Sequence, residues 1–136
     1  MSFILEPEVP GEIGERGELD TSVHPPRVVR FHITLTGWLG DDLLEVFPVY
    51  LVTERLASIL EESDLSGYAL AEADVTVDEE ALIDPSLELP TFRWLQVTGS
   101  ADDDVSLAED FRLRLSDRAY ELVSRTSLQN CDVEED

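Results

Sequence analysis

Hydrophobic and polar positions divide the chain at about Val28. Up to Pro26 the sequence is rich in Pro, Gly and Glu and shows no period. Segment 1–27 therefore reads as irregular, either with a short edge strand at 3–5 or as a disordered arm. From Val28 onward Val29, Phe31, Ile33 and Leu35 alternate with Arg30, His32, Thr34 and Thr36, the pattern of a half-buried strand. Gly37-Trp38-Leu39-Gly40-Asp41-Asp42 follows as a turn, and 44–52 as a second extended run whose Pro48 points to an edge or a bulge. Thr53 has the chemistry of a helix N-cap, and Glu54 the charge that a first turn favours. Leu56, Ile59 and Leu60 have the spacing of one buried helix face, and the helix fades over 63–67. A further strand is predicted over 68–77.

After an acidic loop with Pro85 and Pro90, the plan recurs. Phe92 to Val97 reads as a strand ended by Thr98-Gly99, and an acidic turn follows. Phe111, Leu113 and Leu115 then alternate with Arg112 and Arg114, Ser116 caps, and Ala119, Leu122 and Val123 face inward. A short last strand is expected over 128–133. Thr53 to Leu60 overlies Ser116 to Val123 at an offset of 116 − 53 = 63. Arg30-Phe31 and Arg93-Trp94 share that offset, whereas Thr36-Gly37 and Thr98-Gly99 differ by 62, so one residue has slipped. The expectation is one α+β domain over 1–136, with two similar halves at 28–77 and 91–133. Each half would be a small, mostly antiparallel sheet packed by one helix. Two cap-plus-amphipathic helices can also look alike because physics selects them.

Length agrees, since 136 residues suit one domain with its own core. Charge changes the picture more. Thirty-one Asp and Glu stand against nine basic residues, all Arg, for a net charge of −22. Such a surface repels itself, and three accounts compete. A basic partner would be steered to it; a saline cytoplasm, with a Debye length of ~3 Å at 1 M, would screen it; or it is simply solvated. Nucleic acid and anionic membranes are poor direct partners, because they need clustered Lys and Arg. No apolar run approaches the ~20 residues of a membrane span, no leader pattern is visible, and a lone Cys131 fits a reducing, cytoplasmic setting.

Catalytic chemistry is thin. There is no phosphate loop, nucleophile elbow or zinc-protease motif. His24, His32 and Cys131 are too few for an ordinary zinc site. His32 reads as a surface histidine and Cys131 as a small buried hydrophobe. Asp102-Asp103-Asp104, with Glu109 and Asp110 nearby, could suit a hard cation, but its spacing fits no EF-hand loop and it reads as a solvated turn. No cofactor and no metal are expected. Trp38, beside Asp41 and Asp42, is either an interface anchor or a ring folded back over the sheet.

Leu51-Val52-Thr53-Glu54-Arg55-Leu56-Ala57-Ser58-Ile59-Leu60 with Leu65-Ser66-Gly67-Tyr68 resembles a phrase of bacterial immunity proteins of polymorphic toxin systems. Phe92 to Gly99, Asp110-Phe111 and Leu115-Ser116-Asp117-Arg118-Ala119 resemble their C-terminal half. The chain departs from the cysteine-rich members, whose paired CxxC motifs it lacks. The resemblance implies a cytoplasmic protein that binds and neutralises a cognate toxin, with no catalytic residues to carry over. On this reading Trp38, Asp41, Asp42, Asp102, Asp103 and Asp104 meet a basic toxin domain, the acids steering and an apolar anchor holding. The alternative is an acidic nucleic-acid mimic that blocks a DNA-binding protein; a third is a hydrolase with no visible motif.

Overall fold

Thr53 and Ser116, the two predicted caps, lie in extended backbone, and their hydroxyls accept from Leu56 N at 3.3 Å and Ala119 N at 3.2 Å. They open α1 (Glu54–Glu61) and α2 (Asp117–Val123), each with an acid in its first turn. In this computed structural model, which describes residues 2–78, 80 and 89–136, the protein has an α+β fold.

Each helix follows a hairpin and is followed by a further strand. β6 (Leu43–Val46) and β7 (Val49–Thr53) precede α1, and β8 (Tyr68–Glu72) succeeds it. Likewise β11 (Val105–Leu107) and β12 (Leu113–Ser116) precede α2, and β13 (Asp132–Glu135) succeeds it. Each sheet then takes in one strand from outside its own hairpin–helix–strand unit. β10 (Phe92–Val97) lies inside the order β6-β7-β10-β8, and β1 (Ser2–Glu6) inside β11-β12-β1-β13. Registers correspond: Phe92 pairs with the cap Thr53, and Ser2 with the cap Ser116, all antiparallel.

Both helices and both four-stranded sheets share one core, in which Leu5, Val52, Leu56, Leu60, Leu95, Leu113, Leu115, Ala119 and Val123 meet. A second core on the other face of the β10-containing sheet joins Leu44, Val49, Leu51 and Phe92 to Ile33 and Leu35. Those last two come from a small sheet of β2 (Gly11–Ile13), β5 (Ile33–Leu35) and β9 (Val75–Val77), in which β5 and β9 run parallel. Cover on both faces explains why all five residues of β7 are buried and no period shows there.

The structure corrects several expectations. Segment 1–27 is not irregular: it supplies β1, β2 and β3 (Glu18–Asp20). β1 is a central strand rather than an edge, and its apolar run Phe3-Ile4-Leu5 has Leu5 at 0% exposure. Five residues are too few to declare a period against the surrounding Pro and Gly. The alternation over 28–36 spans two short strands in different sheets, β4 (Arg27–Arg30), paired with β3, and β5. Val29 is consequently exposed. Residues 44–52 fold as a hairpin turning at Phe47-Pro48, because a proline that cannot donate to a ladder fits the turn. Residues 68–77 divide between β8 and β9, and the last strand begins at Asp132 instead of Leu128. The loop around Pro85 lies outside the described residues.

His32 is buried rather than exposed. Its Nδ1 accepts from Arg16 N at 3.1 Å, which leaves Nε2–H to donate to Thr76 Oγ1 at 2.8 Å.

Candidate functional site

The turns carrying the predicted residues are built alike. Thr36 N and Gly37 N both donate to Pro10 O, at 2.9 and 3.0 Å. Thr98 N and Gly99 N both donate to Gly67 O, at 2.8 and 2.9 Å. Gly67 has φ +95°, and a Cβ there would meet Val105 O at 2.1 Å, so only glycine fits. Six residues after each Thr, at 104 − 42 = 62, stands an aspartate whose backbone and side chain hold the next N-cap. Asp42 O accepts from Thr53 N at 3.0 Å and Asp42 Oδ1 from Thr53 Oγ1 at 2.5 Å. Asp104 O accepts from Ser116 N at 2.8 Å and Asp104 Oδ1 from Ser116 Oγ at 2.7 Å. The one-residue slip between halves falls in the hairpin turn, four residues between the paired Glu45 and Tyr50 against five between Leu107 and Leu113. Arg30-Phe31 has no such counterpart in Arg93-Trp94, since β4 and β10 belong to unlike sheets.

Each aspartate also reaches across to the loop after the other helix. Asp42 Oδ2 accepts from Ser127 N at 2.8 Å, and Asp104 Oδ2 from Ser66 N at 3.0 Å. The preceding aspartates share the work: Asp41 accepts from Asn130 N at 2.8 Å, and Asp103 from Ser100 N at 2.8 Å. Asp41 and Asp42 are 0% and 6% exposed, so neither can meet a partner, which corrects their assignment to a binding rim. Amide and hydroxyl donors draw these carboxylates inward.

Asp104 is likewise engaged. Arg118 grips it with two bonds, Nε to Oδ1 at 3.0 Å and Nη2 to Oδ2 at 2.8 Å. That guanidinium, aided by Ser116 and Ser66, holds the carboxyl well below the ordinary carboxylate range. The Ser100 amide similarly lowers Asp103. Of the predicted run only Asp102 is exposed.

Trp38 folds back over the sheet. Its Nε1 donates to Asp41 O at 2.8 Å, and its ring meets Phe92 edge to face at 6.1 Å between centroids. Its neighbour Leu39 is 72% exposed. Glu8, buried, fixes that turn by accepting from Leu39 N at 2.7 Å, and burial pushes the Glu8 carboxyl above its ordinary range despite this bond. Beside Glu8, Val9 is 66% exposed. Leu39, bonded to Glu8, and Val9, next to Glu8 in the chain, are thus the apolar side chains here that face solvent. Trp38, which the sequence pattern singled out, is turned inward.

The arginines are largely spent internally. Arg16, Arg27, Arg93, Arg112, Arg114, Arg118 and Arg125 each form an ion pair with an Asp or Glu of the same chain. Exposed carboxylates also stand along β13 and at Asp102, Glu109 and Asp110, of which Glu134 and Asp110 are the partners of Arg112. Cys131 is half-buried against the core, and burial pushes its thiol up to about 12, far from a nucleophile. Among the described residues no three His, Cys, Asp or Glu side chains are grouped to hold a metal, and no helix is long and apolar enough to cross a membrane. No family model matches the chain, and no curated protein or solved structure matches it either.

Proposed function

We propose that this chain is a binding protein for a basic protein partner, acting as an immunity protein does on its cognate toxin, by occlusion. The observation that carries the reading is the fate of the charges. Among the described residues seven arginines are ion-paired to carboxylates of the same chain, and a few acids such as Asp41 and Asp42 are buried. Most of the excess negative charge of the −22 chain therefore faces solvent, with its arginines dispersed rather than clustered. A surface of one sign accelerates encounter with the opposite sign and repels nucleic acid. Leu39 and Val9 supply the apolar contact that sets residence time once encounter has occurred.

The test has two stages. A tagged chain captures its partner from the source cells at low salt, and the captured protein is expressed alone and together with this chain. The reading holds if the partner is basic, arrests growth alone, and is neutralised by co-expression. A partner that is harmless, or whose toxicity co-expression leaves intact, overturns it. With that partner, Leu39→Ala is expected to raise the dissociation rate about 30-fold, the equivalent of the ~2 kcal/mol that marks an interface hot spot. An unchanged dissociation rate would remove Leu39 from the interface.

A further inference from the structure

Strand β13 stands at the open end of the order β11-β12-β1-β13, and all four of its residues are exposed. Its hydrogen-bonding direction follows from one bond. Asp136 N donates to Ser2 O at 2.9 Å, which makes Ser2 and Asp136 a bonded pair. Bonded and non-bonded pairs alternate along an antiparallel ladder. Phe3–Glu135 and Leu5–Val133 are therefore the non-bonded pairs, and the N–H and C=O groups of Val133 and Glu135 point away from β1. Among the described residues they have no backbone partner, and such an edge is the template on which an added strand docks.

Charge selects the occupant. Asp132, Glu134 and Glu135 lie on the strand, and Asp136 follows. A second copy of β13 would set carboxylates against carboxylates, and like charges directly opposite destabilise a strand pair. Arginine or lysine at alternate positions of an incoming strand would instead meet Glu134 and Asp136 on one face. On that face Arg112 already reaches Glu134 at 3.1 Å. Asp136, paired with Arg114 at 3.6 Å, also lines two grooves of about 390 and 320 Å³ over β1 and β12, which add the carboxylates of Glu109 and Asp110 in one and of Asp102 and Asp103 in the other. On the other face Val133, 39% exposed, offers apolar contact beside the core residue Leu5. The corresponding edge of the other sheet, β8, carries one acid in Tyr68-Ala69-Leu70-Ala71-Glu72 and has no such preference.

We infer that the open edge of β13 is the docking strand for a basic, extended segment of the partner, which joins the sheet as a fifth strand. This rests on the basic-partner reading above.

The probe is a hexapeptide alternating arginine and valine, compared with the same peptide N-methylated on its pairing side, against the full chain. The unmethylated peptide is expected to bind at least 10-fold tighter and to slow hydrogen exchange at the Val133 and Glu135 amides. Val133→Pro removes an outward-facing N–H while sparing the ladder to β1, so it should abolish that preference without lowering the melting temperature. Should the variant fail to fold, the methylated peptide still decides. Equal, salt-sensitive binding of both peptides overturns the edge proposal while leaving a basic partner standing. No binding of either peptide at low salt overturns the edge proposal too; growth rescue separately decides the wider reading.

Discussion

The pairs Asp41-Asp42 and Asp103-Asp104 occupy corresponding turns and perform the same task with different electrostatics. Each follows a Thr-Gly dipeptide held on a single carbonyl, and each ties a hairpin to a helix cap and to the far loop. The first pair is sealed from water and satisfied by neutral donors alone. The second is partly open and has Arg118 as a counter-charge. Arg55 stands at the matching place in α1 (118 − 55 = 63), yet it points to Arg125 O at 3.5 Å and leaves Asp42 to its amides. A shared pattern, Thr-Gly followed four residues later by Asp-Asp, thus produces a latch in both halves, and burial decides whether the latch needs a cation. A buried carboxylate can be carried by aligned N–H and O–H donors; an exposed one competes with water and gains from a guanidinium.

The largest expected effect breaks the sealed latch. Asp42→Ala deprives Ser127 N–H and the Thr53 hydroxyl of their acceptor where water cannot replace it. Bonds to a charged group contribute roughly 1.5–3 kcal/mol each, so a loss of about 3 kcal/mol is expected in urea unfolding. A loss under about 1 kcal/mol would mean that the loop at 126–130 is not anchored through Asp42.

How much of this was legible beforehand divides along the same line. Both helices, both caps and the Thr-Gly correspondence follow from local chemistry, and the structure places them as read. The exchanged strands were not legible, because nothing local to Phe3-Ile4-Leu5 says that its sheet is completed more than a hundred residues later. The acidic turns misled for a related reason. An aspartate in a polar turn reads as solvated unless its donors are known, and those of Asp41 and Asp42 come from residues 127 and 130. Arg118 falls opposite Arg55 in the overlay of the two cap-and-helix segments, but nothing in that overlay points to its partner Asp104.

Next in size is the open latch. Asp104→Ala should cost about 2 kcal/mol at neutral pH, less than Asp42→Ala because water can reach the abandoned donors. Acid supplies a sharper test. The folded Asp104 carboxyl lies below its unfolded value of about 3.9. A depressed pKa contributes stability that is present above the unfolded value and is lost as pH falls through the folded one. The gap between the parent and Asp104→Asn should accordingly be constant near neutrality and narrow below about pH 4. A gap that widened on acidification would show that the Arg118 pairing is absent in solution.

Smallest of all is the effect of Asp102, which shares the acidic run but neither latch. Asp102→Asn should leave stability unchanged to within about 0.5 kcal/mol, the usual range for surface positions. Its consequence belongs to encounter instead. Removing an exposed charge should slow association with a basic partner at low salt, and the difference should shrink as the Debye length falls from about 30 Å at 0.01 M to about 8 Å at 0.15 M. Neutralising all three aspartates together would confound the two effects, because it also disarms Arg118 and the cap of α2. The single change separates them. If Asp102→Asn lowers stability as much as Asp104→Ala does, the run acts as one structural unit and the division between latch and rim fails. If stability holds and the association rate at low salt is also unmoved, steering belongs to other carboxylates, of which the exposed ones on β13 are the next to neutralise.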